Sequence, residues 1–316
     1  MEDESNYRNW AELIPDALGL IFNNLSIQDV LTVVPRVCKS WERAVVGPYC
    51  WQEIDIEEWS RNMQAEYVDR MLQLLITRSQ GSLRKLIVTG VSNKDTFSFI
   101  ANNAKSLQTL GLPRSDMDDV AVEEFAEMFS NVTVLDISYC NYMGDIALDA
   151  FGRHCKNLTT FRRAMHPLEA IEKVCQDDEA LTIAASMPKL KQLEIPYMLV
   201  STETIVEIIE SCSQLELLDV RGCWDVCLDE DFLKKFPGLK VVGPAIVDCY
   251  DMNGWDSCSD NSGSTGYLPW DFVGGDIDDD DLSDGLWEDE PEVDVEMWFY
   301  DGINSINAGY EWPQSP

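Results

Sequence analysis

Basic side chains are scarce: 23 Lys and Arg face 57 Asp and Glu across 316 residues, a formal net charge of -34. So acidic a surface repels phosphate backbones and anionic lipid, which argues against direct nucleic-acid binding and against attachment to a membrane surface. Base is missing altogether after Lys240, and residues 251–316 hold 18 Asp and Glu, leaving -16 of the -34 to residues 1–250. Histidine is nearly absent: His154 and His166 are the two present, and neither stands in H-E-x-x-H or C-x-x-C, so zinc hydrolysis lacks its ligands. No apolar run approaches the ~18 residues of a membrane span. The start "MEDESNYRNW" has neither the basic nor the apolar region of a secretion signal, so the nucleus, the cytoplasm or both are the expected location.

Other chemistries lack their residues too. There is no G-x-x-x-x-G-K-[ST] and no G-x-G-x-x-G, hence no nucleotide cradle. Ten cysteines are scattered rather than framed as disulfide pairs, and in a reducing compartment they read as thiols. There the glycosylation-like triplets at Asn24, Asn131 and Asn157 carry no meaning. His154 precedes Cys155, but helix neighbours point about 100° apart and do not form a nucleophile-base pair. Cys223 and Cys227 in "CWDVC" have no second pair nearby to complete a zinc site, and "DIDDDD" at 276–281 lacks the glycine and terminal Glu of a calcium loop. No cofactor and no metal are expected.

What is present is a repeat. The segments "LRKLIV", "LQTLGL", "VTVLDI", "LTTFRR", "LKQLEI", "LELLDV" and "LKVVGP" share an L-x-x-L-x-L frame starting at Leu83, Leu107, Val132, Leu158, Leu190, Leu215 and Leu239. Successive starts lie 24, 25, 26, 32, 25 and 24 residues apart. Period and frame resemble the leucine-rich-repeat family, in which each unit is a short strand and a helix and the units stack into a solenoid. Two units extend to a Cys, "VTVLDISYC" at Cys140 and "LELLDVRGC" at Cys223, which resembles the cysteine-containing subtype. Helical stretches fill the gaps; in "TETIVEIIESCSQL", Ile205, Ile208, Ile209 and Cys212 recur at helical spacing behind a cap at Ser201 or Thr202. The fourth unit departs, with Arg163 where an inward Leu belongs and an extra turn or loop expected over "HPLEAIEKVCQDD".

Strand alternation sends Leu135 and Ile137 inward and Val134, Asp136 and Ser138 to the concave face. The same rule exposes Lys85, Ile87 and Thr89, then Gln192, Glu194 and Pro196, then Leu217, Asp219 and Arg221, with Arg162 in the fourth unit. Tyr139, Tyr197 and Trp224 lie just past the strands, where aromatic anchors concentrate binding energy. The candidate binding contacts are therefore Asp136, Tyr139, Arg162, Glu194, Tyr197, Asp219, Arg221 and Trp224.

The opening stretch "LIPDALGLIFNNLSIQDVLTVVPRVCKSW" does not fit the repeat. Pro15 suits a first helical turn and Pro35 interrupts a helix, so three short helices are expected near 15–25, 27–34 and 36–46, with a Ser26 cap and Asp29 in the second first turn. About forty residues supply too little core for so many apolar side chains, and another protein is expected to cover some. Ile14-Pro15, Ile21-Phe22 with Leu25, Asp29-Val30, Val37-Cys38-Lys39 with Trp41, and Trp51 resemble the F-box family pattern. Ile14 replaces the usual Leu, and Asp16-Ala17 the usual x-Glu.

An F-box followed by leucine-rich repeats resembles a plant class with a long acidic tail, named for WD-forty repeats. The WD dipeptides at Trp224, Trp255 and Trp270 are spaced 31 and 15 residues apart, too close for propeller blades of ~40–45 residues. The resemblance implies an α/β chain: F-box at 10–56, a linker helix capping the solenoid at 57–82, repeats at 83–250, and a largely disordered acidic tail with interspersed aromatics at 251–316. It implies a noncatalytic subunit of an SCF ubiquitin ligase. Ile14, Pro15, Leu18, Ile21, Phe22, Leu25, Val30, Val37, Cys38 and Trp41 would serve the Skp adaptor, and through it a cullin and RING protein. Pro15, Leu18 and Phe22 are expected outward and Val37, Cys38 and Trp41 inward. The repeats would hold a protein substrate, a basic one being favoured by charge; the alternative is a scaffold or inhibitor that binds a basic protein without ubiquitin.

Overall fold

The computed structural model describes residues 10–166 and 175–244, all within the compact unit Met1–Ile246. The expected loop after His166 lies mostly outside them, and the acidic tail lies wholly outside.

Three short helices open the chain: α1 (Pro15–Phe22), α2 (Ile27–Thr32) and α3 (Lys39–Val46). Pro15 occupies the first turn of α1, where its missing N–H has no intrahelical partner to lose. Ser26 Oγ accepts from Asp29 N at 3.1 Å and donates to Asp29 Oδ2 at 2.8 Å, fixing the start of α2. Pro35 falls in a 3-10 turn, and α3 starts at Lys39 rather than 36 because Cys38 adopts the extended N-cap conformation.

Eight strands form one parallel sheet in chain order: β1 (Glu53–Asp55), β2 (Lys85–Ile87), β3 (Thr109–Gly111), β4 (Val134–Asp136), β5 (Thr160–Arg162), β6 (Gln192–Glu194), β7 (Leu217–Asp219) and β8 (Lys240–Val242). The first strand precedes the first sequence repeat and lies inside the stretch assigned above to the F-box. Every middle residue pairs with the next middle residue, Ile54 with Leu86, Leu86 with Leu110, and onward to Val241. All of them from Ile54 to Leu218 are buried, so the apolar frame of the repeat sets the register.

Between the strands run α4 (Glu57–Ser60), α5 (Ala65–Ser79), α6 (Lys94–Asn102), α7 (Asp119–Phe125), α8 (Asp145–His154), α9 (Asp177–Ser186), α10 (Thr202–Ser211) and α11 (Glu230–Leu233). Their buried faces stack from unit to unit. Phe97, Phe129 and Phe151 touch in series, ring centroids 5.6 and 6.3 Å apart. Ile205, Ile208, Ile209 and Cys212 are all buried, and Ser201 is the cap that forms, accepting from Thr204 N. The helical layer begins with α5, which joins β1 to β2 and buries Val68, Met71, Leu72, Leu75 and Ile76, packing beside α6 and the turn at 48–50.

Helix starts also tie neighbouring units together. Asp119 Oδ1 accepts from Gly144 N and Ala147 N at 2.7 and 3.1 Å, Asp177 Oδ1 from Ser201 N at 2.8 Å, and Thr202 Oγ1 from Cys227 N at 2.8 Å. The two repeat cysteines do equivalent work: Cys140 Sγ donates to Leu112 O at 3.1 Å and Cys223 Sγ to Ile195 O at 3.3 Å, each one unit back. Burial pushes the Cys140 thiol up to about 11, and Cys155, donating to Phe129 O, up to about 12. These are inert thiols of the core.

Candidate functional site

Two surfaces stand out, one on the opening helices and one on the strand side of the solenoid. In the helical module, Leu18 and Phe22 are buried, and Phe22 meets Trp41 edge-on at 5.0 Å. Gly19 lets α1 approach the turn at 48–50 so closely that a Cβ there would sit 2.4 Å from Tyr49 O. Trp51 completes the packing, its Nε1 donating to Val45 O at 2.6 Å. Leu18 and Phe22, expected outward, therefore point into the module, and Val37, expected inward, is exposed. Helix phase is the reason: the contact with Tyr49 turns the Leu18–Gly19–Phe22 side of α1 inward. Pro15 and Cys38 are half-buried, and Val30 is buried on α2.

What stays outside is apolar. Ile14 just before α1, Leu20 and Ile21 on it, Leu25 after it, and Val33 and Val37 between α2 and α3 are exposed, Leu20 by 71%. Single exposed leucines are ordinary, but six large apolar side chains within 24 residues mark an interaction surface. Leu20 was not singled out in the sequence, since telling the two sides of a helix apart requires knowing which one packs.

On the strand side, the third residue of each strand forms a ladder: Asp55, Ile87, Gly111, Asp136, Arg162, Glu194, Asp219 and Val242. Lys85 Nζ meets Asp55 Oδ2 at 2.9 Å, Arg162 Nε meets Glu194 Oε1 at 3.0 Å, and Arg221 clasps Asp219 with Nη2–Oδ2 of 2.7 Å. Asp136 accepts from Ser138 N at 2.9 Å. Its carboxyl sits above the ordinary value of 3.8 because burial disfavours the charge, more than Ser138 and Arg162 favour it.

Thr89, Ser138 and Asp219, expected on the exposed concave face, are buried. Each strand is only three residues long, so alternation ends before positions 89 and 138. Thr89 N there donates to Ser60 Oγ, and Ser138 Oγ accepts from Ala164 N. Asp219 is covered by its own Arg221. Beyond the strands, Arg114, Tyr139 and Tyr197 take a left-handed backbone (φ 55, 60 and 61°) at the position where Gly90 and Gly222 stand in other units. Tyr139 stacks under the Arg114 guanidinium at 5.2 Å and meets His166 at 6.5 Å, while Trp224 is 65% exposed.

Arg163, the residue that broke the sequence frame, is 1% exposed. It donates to Glu179 Oε2 at 2.6 Å, to Cys140 O at 3.3 Å and to Met143 O. An ion pair thus replaces the inward leucine and fastens α9 to the loop beyond β4.

A helical module with an apolar outer side, leading into a parallel leucine-rich-repeat sheet, is the architecture of an F-box/leucine-rich-repeat protein. The chain belongs to the F-box family: it is 54% identical over its full length to the full length of F-box protein FBW2 of Arabidopsis thaliana. It is also 32% identical to F-box protein SKIP19 of that plant over 74% of this chain and 76% of the other. With F-box/LRR-repeat protein 23 of the same species it shares 30% identity over 73% of this chain and 52% of the other. A scan against family models returned no match.

Proposed function

We propose that this chain is the substrate-recognition subunit of an SCF ubiquitin ligase, itself without catalytic residues. Ile14, Leu20, Ile21, Leu25, Val33 and Val37 dock on the Skp adaptor, which joins the chain to a cullin and its RING protein. The concave side and rim of the repeats hold a protein substrate near the ubiquitin-loaded enzyme, and effective concentration supplies the acceleration. The observation that carries this reading is the exposed apolar side of the opening helices, whose burial is worth about 1.5–3 kcal/mol per large side chain before association entropy is subtracted. With a net charge of -34, the chain favours encounter with a basic substrate. It works in the nucleus, the cytoplasm or both; among the described residues no helix is long and apolar enough to cross a membrane.

Co-purification with Skp tests the proposal. Leu20→Glu combined with Val37→Glu should abolish it while leaving the melting temperature unchanged, because both side chains lie outside the packed module. Full retention of Skp by that folded double variant refutes the docking surface. Leu18→Ala is unsuitable, since it opens a cavity in the module itself.

A further inference from the structure

Four carboxylates stand on the concave ladder, and the protein supplies a cation to three of them: Lys85 to Asp55, Arg162 to Glu194, and Arg221 to Asp219. Asp136 is the fourth. Asp136 and Asp219 make the same local turn, each carboxylate accepting the backbone N–H two residues on. At β7 that following residue is Arg221, whose guanidinium returns to the carboxylate; at β4 it is Ser138. On one flank Arg162 commits its Nε to Glu194. On the other, the register partner of Asp136 is Gly111, which has no side chain. Ile87 leans over that glycine, its Cγ2 3.1 Å from where a Cβ would stand. Two residues beyond Ile87, the buried Thr89 Oγ1 has no hydrogen-bond partner among the described residues.

The result is an apolar step, Ile87 over Gly111, ending at a half-buried carboxylate that makes no direct ion pair among the described residues, its neighbour Arg162 being engaged by Glu194. An arginine or lysine side chain matches it in both parts, the methylene stem on Ile87 and the charged head on Asp136. We propose that Asp136, with Ile87 and Gly111, forms the specificity site for a basic side chain of the bound substrate protein, most favourably arginine, whose planar fork presents paired donors. This rests on the reading of the repeats as the substrate-holding surface and identifies the chemistry they select. Ser138 and Arg162 offset the burial of that charge only in part, which works against the free protein's stability, a cost expected where further compensation arrives with a ligand.

The probe is the peptide acetyl-Ala-Ala-Arg-Ala-Ala-amide against its citrulline counterpart, neutral but of the same shape, titrated into the full chain with isoleucine methyl groups labelled for NMR. The arginine peptide should shift the Ile87 methyl signals saturably and bind about tenfold more tightly than the citrulline peptide, the range expected for a charge-assisted pair. Asp136→Asn, which keeps the acceptor for Ser138 N, should remove that preference, and Gly111→Leu should remove the Ile87 response. No saturable shift at Ile87, or an arginine preference that survives Asp136→Asn, overturns the proposal. Because the wild-type comparison needs no variant, misfolding of Gly111→Leu does not rescue it. Skp co-purification separates the two claims: a chain that binds Skp but shows no arginine preference loses the specificity site and keeps the ligase reading. The converse result keeps the site and loses the ligase.

Discussion

Replacing Arg163 by leucine restores the repeat frame, and it should nevertheless destabilise the protein. The guanidinium serves three acceptors at once, Glu179 Oε2, Cys140 O and Met143 O. Arg163→Leu leaves two carbonyls without this donor, at about 1–3 kcal/mol each where no water replaces it. It also leaves Glu179, held otherwise by Gln176 Nε2 at 3.2 Å, as a partly buried charge without its cation, and breaking a buried pair costs about 3–5 kcal/mol. Added apolar burial returns about 1.5–3 kcal/mol. The expected net loss is about 2–9 kcal/mol, a fall in melting temperature of at least roughly 4 °C for a unit of this size. Glu179→Leu should cost a similar amount, since it strands the guanidinium instead. The double variant Arg163→Leu with Glu179→Leu should recover most of the loss, because neither charge is then orphaned. Urea denaturation followed by far-ultraviolet circular dichroism measures all four corners of the cycle. A loss under ~1 kcal/mol for Arg163→Leu, or additivity within ~0.5 kcal/mol, refutes the reasoning.

Four further substitutions test the same geometry. Gly19→Ala should unfold the opening module or displace α1, because its Cβ would meet backbone 2.4 Å away at Tyr49 O; thermal melting and loss of Skp binding together report it. Gly222→Ala should cost at least ~1–2 kcal/mol, since φ there is +71° and the new Cβ would meet the Tyr197 ring at 2.2 Å, an effect urea titration resolves. For Asp136, burial raises the carboxyl pKa above 3.8, so the native state binds the proton more tightly than the unfolded chain. That contribution is fully present below the unfolded value and is lost as pH rises through the raised native one. At neutral pH, then, Asp136→Asn should leave stability unchanged or higher. Asp219→Asn should lower it by about 1–3 kcal/mol through the loss of Arg221's partner; unfolding midpoints at pH 7 and pH 4 check both.

Much of this was legible in the sequence, because a solenoid is built from one unit and its frame repeats. Leu86, Leu110, Leu135, Leu193 and Leu218 recur at a fixed offset, and that offset alone sets strand, register and buried face. Cys140 and Cys223 announced their turn for the same reason. Pro15, Ser26 and Asp29 marked helix starts through local chemistry, with no need of distant residues. Legibility ended where an answer depends on what touches what. Periodicity shows that α1 has an apolar side, but only the close approach of Gly19 to Tyr49 decides that Leu18 and Phe22 face in while Leu20 and Ile21 face out. The first strand escaped notice because "EID" lacks the frame and becomes a strand by pairing with β2.

The sequence by itself determined the class of fold, the order of its parts and the surfaces on which to look, since composition, period and capping are local properties of the chain. Tertiary structure decided which charges are satisfied. Arg163 reads as a flaw in its repeat until Glu179, sixteen residues away, is seen against it. Asp136 and Asp219 occupy the same repeat position; Asp219 takes its guanidinium from Arg221 two residues on, whereas what faces Asp136, the step of Ile87 over Gly111, is set by pairing across the sheet. Pairing across a sheet is a distance in space, and a one-dimensional pattern does not contain it.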